Sequence, residues 1–565
     1  VTTPKYSQTP KKSGGPLNYV DERVGLSGVV KGFARKIFPD HWSFLLGEIA
    51  LYSFITLILT GIFLAMFFVP SMGTVTYPMD ALPVTEQGNH MSEAYASTLR
   101  ISFEVKGGLL MRQMHHWAAL LFMAAIVAHM FRVFFTGAFR KPRELNWLVG
   151  FTLLILGLLA GFTGYSLPDD VLSGNGLRIA DGVAKSIPVL GTWVSYGLFG
   201  GEFPGTEIIP RLFTLHILVV PGLILALVGL HLLMVVVHKH TQYPGPGRKD
   251  DNVVGFPVFP VYAAKAGGFF FIVFGFIALL GATLSINNVW SYGSYDPSPV
   301  SAGAQPDWYM LFLEGALRLM PGWEFELLGF TFSMSILIPG VVIPGILFTA
   351  LAVYPFIEAY ATGDKREHHI LDRPRNVPVR TAIGAVIIVQ FVILVIAGSN
   401  DIIATHFEMS LNGITWALRI AFLAAPFITF WLTKRICLSL QRRDRELAMH
   451  GHATGKVIQT EDGAFHSVHR PLDDYRLWTL VQHDVHRPIQ PGPEVGPDGL
   501  PRKEYKSLRR RSAVSRFFFE DRVEPVTKSE LAAAQAAHHQ LGHGASRPGG
   551  SVAQLERTDK GQIRP

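Results

Sequence analysis

The chain has 565 residues, of which 49% are hydrophobic and only 16% charged, with a net charge of +7. That balance excludes an ordinary soluble globular domain and points to a polytopic membrane protein whose positive charge sits in its loops rather than on a nucleic-acid-binding face. The single cysteine, Cys437, excludes a c-type haem attachment motif, an iron–sulfur cluster built by this chain alone and an internal disulfide, so a redox cofactor here would use histidine.

In chain order, residues 1–40 read as a polar, basic, Pro/Gly-rich segment with no cleavable signal peptide. Within it, 22–38 set Val24, Leu26, Val29, Val30, Phe33 and Ile37 among basic residues, the pattern of a helix lying on the membrane surface. Eight apolar runs follow, near 43–68, 112–135, 146–166, 211–237, 266–286, 332–356, 381–399 and 411–434. Each is long enough to cross a hydrocarbon core of about 30 Å. The loops after runs two, four and six hold 12 Lys/Arg, and the four loops on the other side hold 5. The positive-inside rule then places both termini in the cytoplasm. From about 435 the chain turns polar and carries nine histidines between 450 and 543 without ligand spacing, read as a solvated, partly disordered tail. Thr527 to Glu530 is a capping box ahead of a short Ala-rich helix.

Histidines inside apolar runs are costly and need a reason. At 100° and 1.5 Å per residue, His115 and His129 lie within about 40° of one face and ~21 Å apart, whereas His116 points away from His129 by about 220°. His216 and His231 in run four lie within about 60° and ~22 Å. Runs two and four cross in the same direction, so the first members share one depth and the second members another. The pattern predicts two bis-histidine iron sites stacked across the membrane: His115 with His216 on the outer side, and His129 with His231 on the cytoplasmic side. Two axial imidazoles leave haem iron no open position, which suits electron transfer. Gly47 and Gly61 in run one, and Gly150 and Gly164 in run three, repeat the same spacing and offer a backbone that a macrocycle could approach. Arg112, Arg132 and Arg211 near the helix ends are candidates to pair with haem propionates. His116 is expected to pack against other helices or reach a polar partner.

These residues resemble cytochrome b of the quinol:cytochrome c reductase (cytochrome bc) family, over roughly 40–434. Besides the histidines and glycines, Gly164-Tyr165-Ser166-Leu167-Pro168 and Ser186-Ile187-Pro188-Val189-Leu190-Gly191 resemble the segment between that family's third and fourth helices. Pro306-Asp307-Trp308-Tyr309 resembles its Pro-Glu-Trp-Tyr motif at the quinol-oxidation site. The departures are Asp307 for the motif glutamate, Glu314 for a tyrosine eight residues after the motif proline, Asp169-Asp170 for Trp-Gly, and a His216–His231 spacing one longer than in mitochondrial relatives. With all eight helices in one chain and a long tail, the combination resembles the actinobacterial enzymes.

The resemblance implies an all-α membrane protein of eight transmembrane helices, with a four-helix di-haem bundle over 41–240, a second four-helix region over 241–434 carrying the Pro-Asp-Trp-Tyr loop, and a polar cytoplasmic tail over 435–565. It implies two b-type haems and a quinol, menaquinol in this branch. Its implied partners are a Rieske iron–sulfur subunit, a di-haem cytochrome c subunit, an aa3-type oxidase in a supercomplex, membrane lipid and a second copy in a dimer. Quinol oxidation is expected at the outer face near Pro306, Trp308, Tyr309, Tyr165 and Gly176, with Asp307 and Glu314 as proton acceptors. On a continuous helix those two acids, seven residues apart, would share a face within about 20°. One electron would leave to the Rieske cluster and the other would cross through the haems to a cytoplasmic quinone. At that inner site Lys265 holds the family's basic position, but Ala266 and Val236 stand where an acid and a histidine are expected. His238, His240, Asp250 and Asp251 are the nearby substitutes. Two other readings stay open on sequence alone: a di-haem anchor of another oxidoreductase, which would not need runs five to eight, and a transporter with proton-relaying histidines, which would show no b-type absorbance.

Overall fold

The computed structural model describes residues 19–298, 304–459, 462–481, 487–495, 503–519 and 522–540, apart from 20, 22 and 24. Among them, eight helices are long and apolar enough to cross a membrane: Trp42–Ala65, Gly108–Thr136, Glu144–Tyr165, Ile208–His238, Val258–Thr283, Met334–Thr362, Pro378–Gly398 and Leu411–His450, here spans one to eight. Every expected run is present. The two largest boundary differences have physical reasons. Span five begins at Val258 because Val-Phe-Pro-Val-Tyr ahead of Lys265 is itself apolar; the chain is extended at Phe259 (φ -116°, ψ 135°), and the regular helix runs from Ala263. Span eight runs on to His450 because Leu, Arg, Gln, Glu and Ala after Cys437 are strong helix formers, and a helix need not end where hydropathy does.

Span one packs along span two, and span five covers the outer side of that pair. Span three packs along span four, and span seven along span eight. The core between the first four spans is built from Ala50, Phe54, Phe122, Met123, Leu153, Leu154, Val220 and Ile224. Large residues such as Phe271, Ile346 and Phe427 stay exposed on the perimeter, as expected of side chains that face lipid rather than water.

The basic-side loops are fixed by buried cations. Arg143 donates to the carbonyls of His368 (2.7 Å), Lys239 (2.9 Å) and His238 (3.1 Å). Arg380 is held between Glu358 and Asp372, the latter at 2.8 Å, and so locks span six to span seven. Breaking such a network by removing one member costs on the order of 3–5 kcal/mol, because it strands a buried charge.

On the other side, helices Glu93–Phe103, Val171–Lys185, Gly191–Phe199 and Leu311–Leu319 fill the long loops. The N-terminal apolar–basic stretch forms a helix at Leu26–Ala34, with Val29, Val30 and Phe33 exposed. It leads into a short strand that pairs Ile37 with Pro257 and Phe38 with Phe256.

The tail differs from its sequence reading. A hairpin of His452–Gln459 with Phe465–Arg470 follows span eight; helices Asp474–Val481 and Lys528–Gln540 pack on span eight, and Tyr505–Phe519 packs on spans six and seven. Arg511 donates to the Tyr360 carbonyl at 2.7 Å, and Phe517 stacks on Phe430 at 6.0 Å. Polar composition alone hid this, because the docking rests on sparse anchors rather than an apolar stripe. The capping box is present, with Thr527 accepting from the Glu530 amide and Glu530 from the Thr527 amide. The histidines at 483, 486 and 543 lie outside the described residues.

Candidate functional site

Spans two and four bring their histidines together in pairs. The rings of His115 and His216 have centroids 6.1 Å apart, and those of His129 and His231 are 6.4 Å apart, each pair crossed at 74°. An imidazole–metal bond of roughly 2.0–2.1 Å on each side, with a little over 1 Å from ring centre to nitrogen, puts two such centroids about 6.3 Å apart. A direct hydrogen bond between the rings would draw them closer, to about 5 Å.

The outer pair is also set in its tautomer. His216 Nδ1 donates to the Ala160 carbonyl at 3.0 Å. Thr60 spends its proton on the Thr56 carbonyl, so its oxygen accepts from His115 Nδ1 at 2.9 Å. Both rings therefore present Nε2 lone pairs.

The four glycines lie behind these rings. A Cβ on Gly164 would sit 2.4 Å from His216, on Gly47 3.1 Å from His129, on Gly61 3.2 Å from His115 and on Gly150 3.6 Å from His231. The unequal histidine spacings are reconciled by a π-turn at Leu215–Val219, which spends an additional residue on one turn of span four. The 15-residue interval there covers about the same rotation as the 14-residue interval in span two.

Two of the three arginines fit an anionic group beside the rings. Arg112 has Nε and Nη2 buried without a partner, and its Nη1 donates to the Asn287 carbonyl at 3.0 Å. Arg132 has a buried, unpartnered Nε and stacks on Phe44 at 4.6 Å. A buried guanidinium with open donors calls for carboxylates that the chain itself does not supply, which the propionates of a haem provide. Arg211 differs: it is exposed and closes a loop through the Gly197 carbonyl at 2.6 Å. The donor set thus fits a haem at both levels.

At the other face the Pro306–Tyr309 segment lies against span two. His116 Nε2 is 3.0 Å from Asp307 Oδ1, and the Tyr309 hydroxyl donates to Asp307 Oδ2 at 2.9 Å. Turning away from the paired rings is what lets His116 reach this acid. Tyr309 is buried against Gly161, where a Cβ would fall 2.4 Å from its hydroxyl, and Trp308 stands at 86° to it. Gly176 lies against the Tyr165 ring, with a Cβ 3.4 Å away.

Asp307 and Glu314 do not share a helix face, because the helix begins at Leu311, after Asp307. Glu314 instead ion-pairs with Arg318, which also reaches Asp401 at 2.6 Å, while Glu314 Oε2 is buried with no partner. Burial raises the Glu314 pKa against the pull of Arg318. Nearby, Asp170 caps the helix Val171–Lys185 through Ser173, with Oδ2 buried and unpartnered. Burial pushes Asp169 up to about 6.

The basic-face candidates scatter. Lys265 pairs with Asp40 at 2.6 Å, both half-exposed. His240 lies between the rings of Phe38 (4.3 Å) and Phe44 (5.9 Å), and burial, with Arg132 and Arg143 nearby, lowers its pKa to about 4. Asp250 is committed to the backbone, accepting from the amides of His369 (2.7 Å) and Ile370 (2.8 Å). The His238 carbonyl serves Arg143, and the Asp251 carbonyl accepts from Lys239 at 3.3 Å. The sequence reading missed Glu48, in span one beside Gly47, whose carboxylate accepts from Tyr52 at 3.1 Å and from Tyr262. An acid inside an apolar run was the available signal.

This fold defines a polytopic helical membrane protein, and comparison with known proteins narrows the class. Residues 120–294 match the family model described as cytochrome b (N-terminal)/b6/petB. The chain is 52% identical to the cytochrome bc1 complex cytochrome b subunit of Streptomyces coelicolor, over 92% of this chain and 95% of that one. It is also 52% identical to the subunit of the same name from Mycobacterium leprae, over 80% of this chain and 82% of that one. A solved structure titled hyperthermophilic respiratory Complex III superposes with a TM-score of 0.54 at 22% identity, covering 74% of this chain and 99% of that one, a likeness of fold. The chain belongs to the family of cytochrome b subunits of cytochrome bc1 complexes. That membership sets aside the transporter and the shorter di-haem anchor.

Proposed function

We propose that this chain is the electron-carrying subunit of a menaquinol:cytochrome c reductase. It would hold one b-type haem between His115 and His216, and a second between His129 and His231. The observation that carries this reading is the pair of imidazole couples at matched depth, each backed by glycines from spans one and three. When bound, the two haems supply one-electron carriers that link the outer face to the basic face.

The chain's own residues do the rest. Gly47, Gly61, Gly150 and Gly164 leave room for the ring planes, and Arg112 and Arg132 neutralise propionates. Quinol binds at the outer face against Pro306, Trp308, Tyr309, Tyr165 and Gly176. Asp307 takes a proton from the quinol hydroxyl and can hand it to the His116 imidazole, which it already faces at 3.0 Å. Glu314 offers its unpartnered Oε2 as a second acceptor or hydrogen-bond partner.

The basic loops lie in the cytoplasm with both termini, and the membrane is a bacterial plasma membrane. The organisation is a surface segment over 1–40, the haem bundle over 41–240, a quinol-site region over 241–434 and a cytoplasmic tail over 435–565. The working partners are a Rieske subunit, a di-haem cytochrome c subunit, an aa3-type oxidase and a second copy of the complex.

The test uses the purified complex. Reduced-minus-oxidised spectra should show two b-type components, and His129→Ala should lose one while His116→Ala keeps both. Haem loss in the His116 variant with retention in the His129 variant would overturn the ligand assignment. Absence of menaquinol-driven cytochrome c reduction in the intact complex would overturn the activity.

A further inference from the structure

The acid and the histidine expected at the basic-face quinone site are replaced by Ala266 and Val236. A two-electron reduction there still needs two protons. One intramembrane carboxyl near that face is unexplained by the haem bundle. Glu48 lies one residue after Gly47, whose backbone touches the His129 ring. A step of 100° round the helix turns Glu48 from the haem slot toward span five. There the Tyr262 hydroxyl donates to Oε1, and Tyr52, one turn on in span one, donates to Oε2 at 3.1 Å. Among the described residues no Lys, Arg or His is ion-paired with Glu48. A carboxyl set inside an apolar span, held only by two tyrosine hydroxyls, is costly there and is retained for a use.

The surroundings suit a planar, apolar ligand with a polar edge. Pairing of Phe38 with Phe256 brings the Phe38 ring 4.8 Å from Tyr262 and 4.3 Å from His240. Phe44 closes the far side, between His240 at 5.9 Å and Arg132 at 4.6 Å. Lys265, three residues after Tyr262 in span five, pairs with Asp40 at 2.6 Å, and both side chains are half-exposed. Aromatic walls with a few convergent polar groups are the usual make-up of such a site.

We propose that Glu48, acting through Tyr262, supplies a proton to the quinone reduced at the basic face, replacing the acid and histidine that this chain lacks. The inference rests on the function proposed above. The quinone gains two electrons from the chain's carriers and two protons. The Tyr262 hydroxyl gives its proton to one carbonyl oxygen, forming the O–H bond, and recovers a proton from the Glu48 carboxyl. The Glu48 carboxylate left behind is reprotonated from water at Asp40 and Lys265. The second carbonyl oxygen takes its proton from bulk water.

The test follows oxidation of the pre-reduced b signal by added menaquinone in the intact complex, with the outer site blocked by an inhibitor. Glu48→Gln should keep both haem spectra and slow this step about a hundredfold, the low end for a positioned proton-transfer group. Its rate should fall with rising pH where the wild type is flat, and added formic acid should restore part of it. The wild-type redox-difference infrared spectrum should contain a carboxyl band that Glu48→Gln removes. Should Glu48→Gln fail to assemble, Tyr262→Phe keeps the ring and should slow the same step at least tenfold. Wild-type rate and pH profile in a haem-replete variant would overturn the proposal. A wild-type complex that shows no menaquinone-dependent oxidation would instead overturn the function on which it rests.

Discussion

The four glycines behind the histidine rings make a graded experiment, because the space behind each differs. In Gly164→Ala the new methyl would lie 2.4 Å from His216 Cε1 and 2.8 Å from Nε2. Ordinary carbon contacts are about 3.5–4.0 Å, so something must move by roughly an ångström. The His216 ring cannot swing aside without giving up its 3.0 Å bond to the Ala160 carbonyl and its aim at the opposite ring. Overpacking of this kind costs about 1–3 kcal/mol, to which loss of the ligand geometry is added. Gly47→Ala and Gly61→Ala, at 3.1 and 3.2 Å, need a shift of a few tenths of an ångström. Gly150→Ala, at 3.6 Å, meets ordinary van der Waals contact and gains the roughly 0.5–1 kcal/mol by which Ala exceeds Gly in a helix. The expected order of damage is Gly164 first, Gly47 and Gly61 next, Gly150 last. The assay is the b-band amplitude of each purified variant, beside its thermal midpoint. Gly164→Ala should lose about half of the b signal, the share of one haem in two, and Gly150→Ala should keep nearly all of it. If Gly150→Ala loses as much haem as Gly164→Ala, clearance of the imidazole is not what these glycines provide, and the reasoning fails.

His116→Ala should keep both b components but slow outer quinol oxidation roughly a hundredfold, since Asp307 loses the imidazole it faces; steady-state menaquinol-driven cytochrome c reduction at unchanged haem content reads this. Glu314→Gln should slow the same reaction, weaken inhibitors that mimic the quinol head and remove an acidic limb from the pH profile, because burial holds this proton above the usual carboxyl range; a wild-type profile and inhibitor titration would reduce Glu314 to a partner of Arg318. Asp169→Asn tests stability. The folded pKa of about 6 lies above the unfolded value, so the folded state keeps a proton that the unfolded state releases, and stability falls as pH rises from about 4 through 6. Relative to an exposed aspartate near 3.9 this costs on the order of 3 kcal/mol at neutral pH, so Asn should raise the thermal midpoint at pH 8 and leave it unchanged near pH 4. Truncation after residue 450 should leave both haems in place, because every proposed ligand precedes it, but should lower the thermal midpoint as the Arg511–Tyr360 and Phe517–Phe430 contacts are lost.

What the sequence made legible was whatever a rigid helix fixes. His115, His129, His216 and His231 lie on two helical elements of known rise, and a bilayer sets their depth, so their pairing follows from counting. The same counting turned His116 away from the pair but could not name its partner, since Asp307 is 191 residues distant and arrives on a loop. It misplaced Asp307 against Glu314 by assuming a helix that starts only at Leu311. It placed Arg211 with the haem-facing arginines, although a residue at a helix end can as well close the preceding loop, as the Gly197 carbonyl shows. At the basic face the reading looked for acids in the loop, where Asp250 is spent on backbone amides, and passed over the acid within span one. Loop contacts depend on tertiary closure, and no periodicity encodes them.

The π-turn at Leu215–Val219 gives span four a reserve of chain length. A residue gained or lost inside an ordinary helix rotates everything beyond it by about 100°, so between His115 and His129 a length change would separate the two levels of the site. In span four the surplus is stored as one wide turn beside His216, and the histidine beyond it keeps its bearing. Spacings of 14 and 15 in that helix are then two lengths of one geometry, and a change of chain length that elsewhere would be confined to loops is absorbed within the span itself.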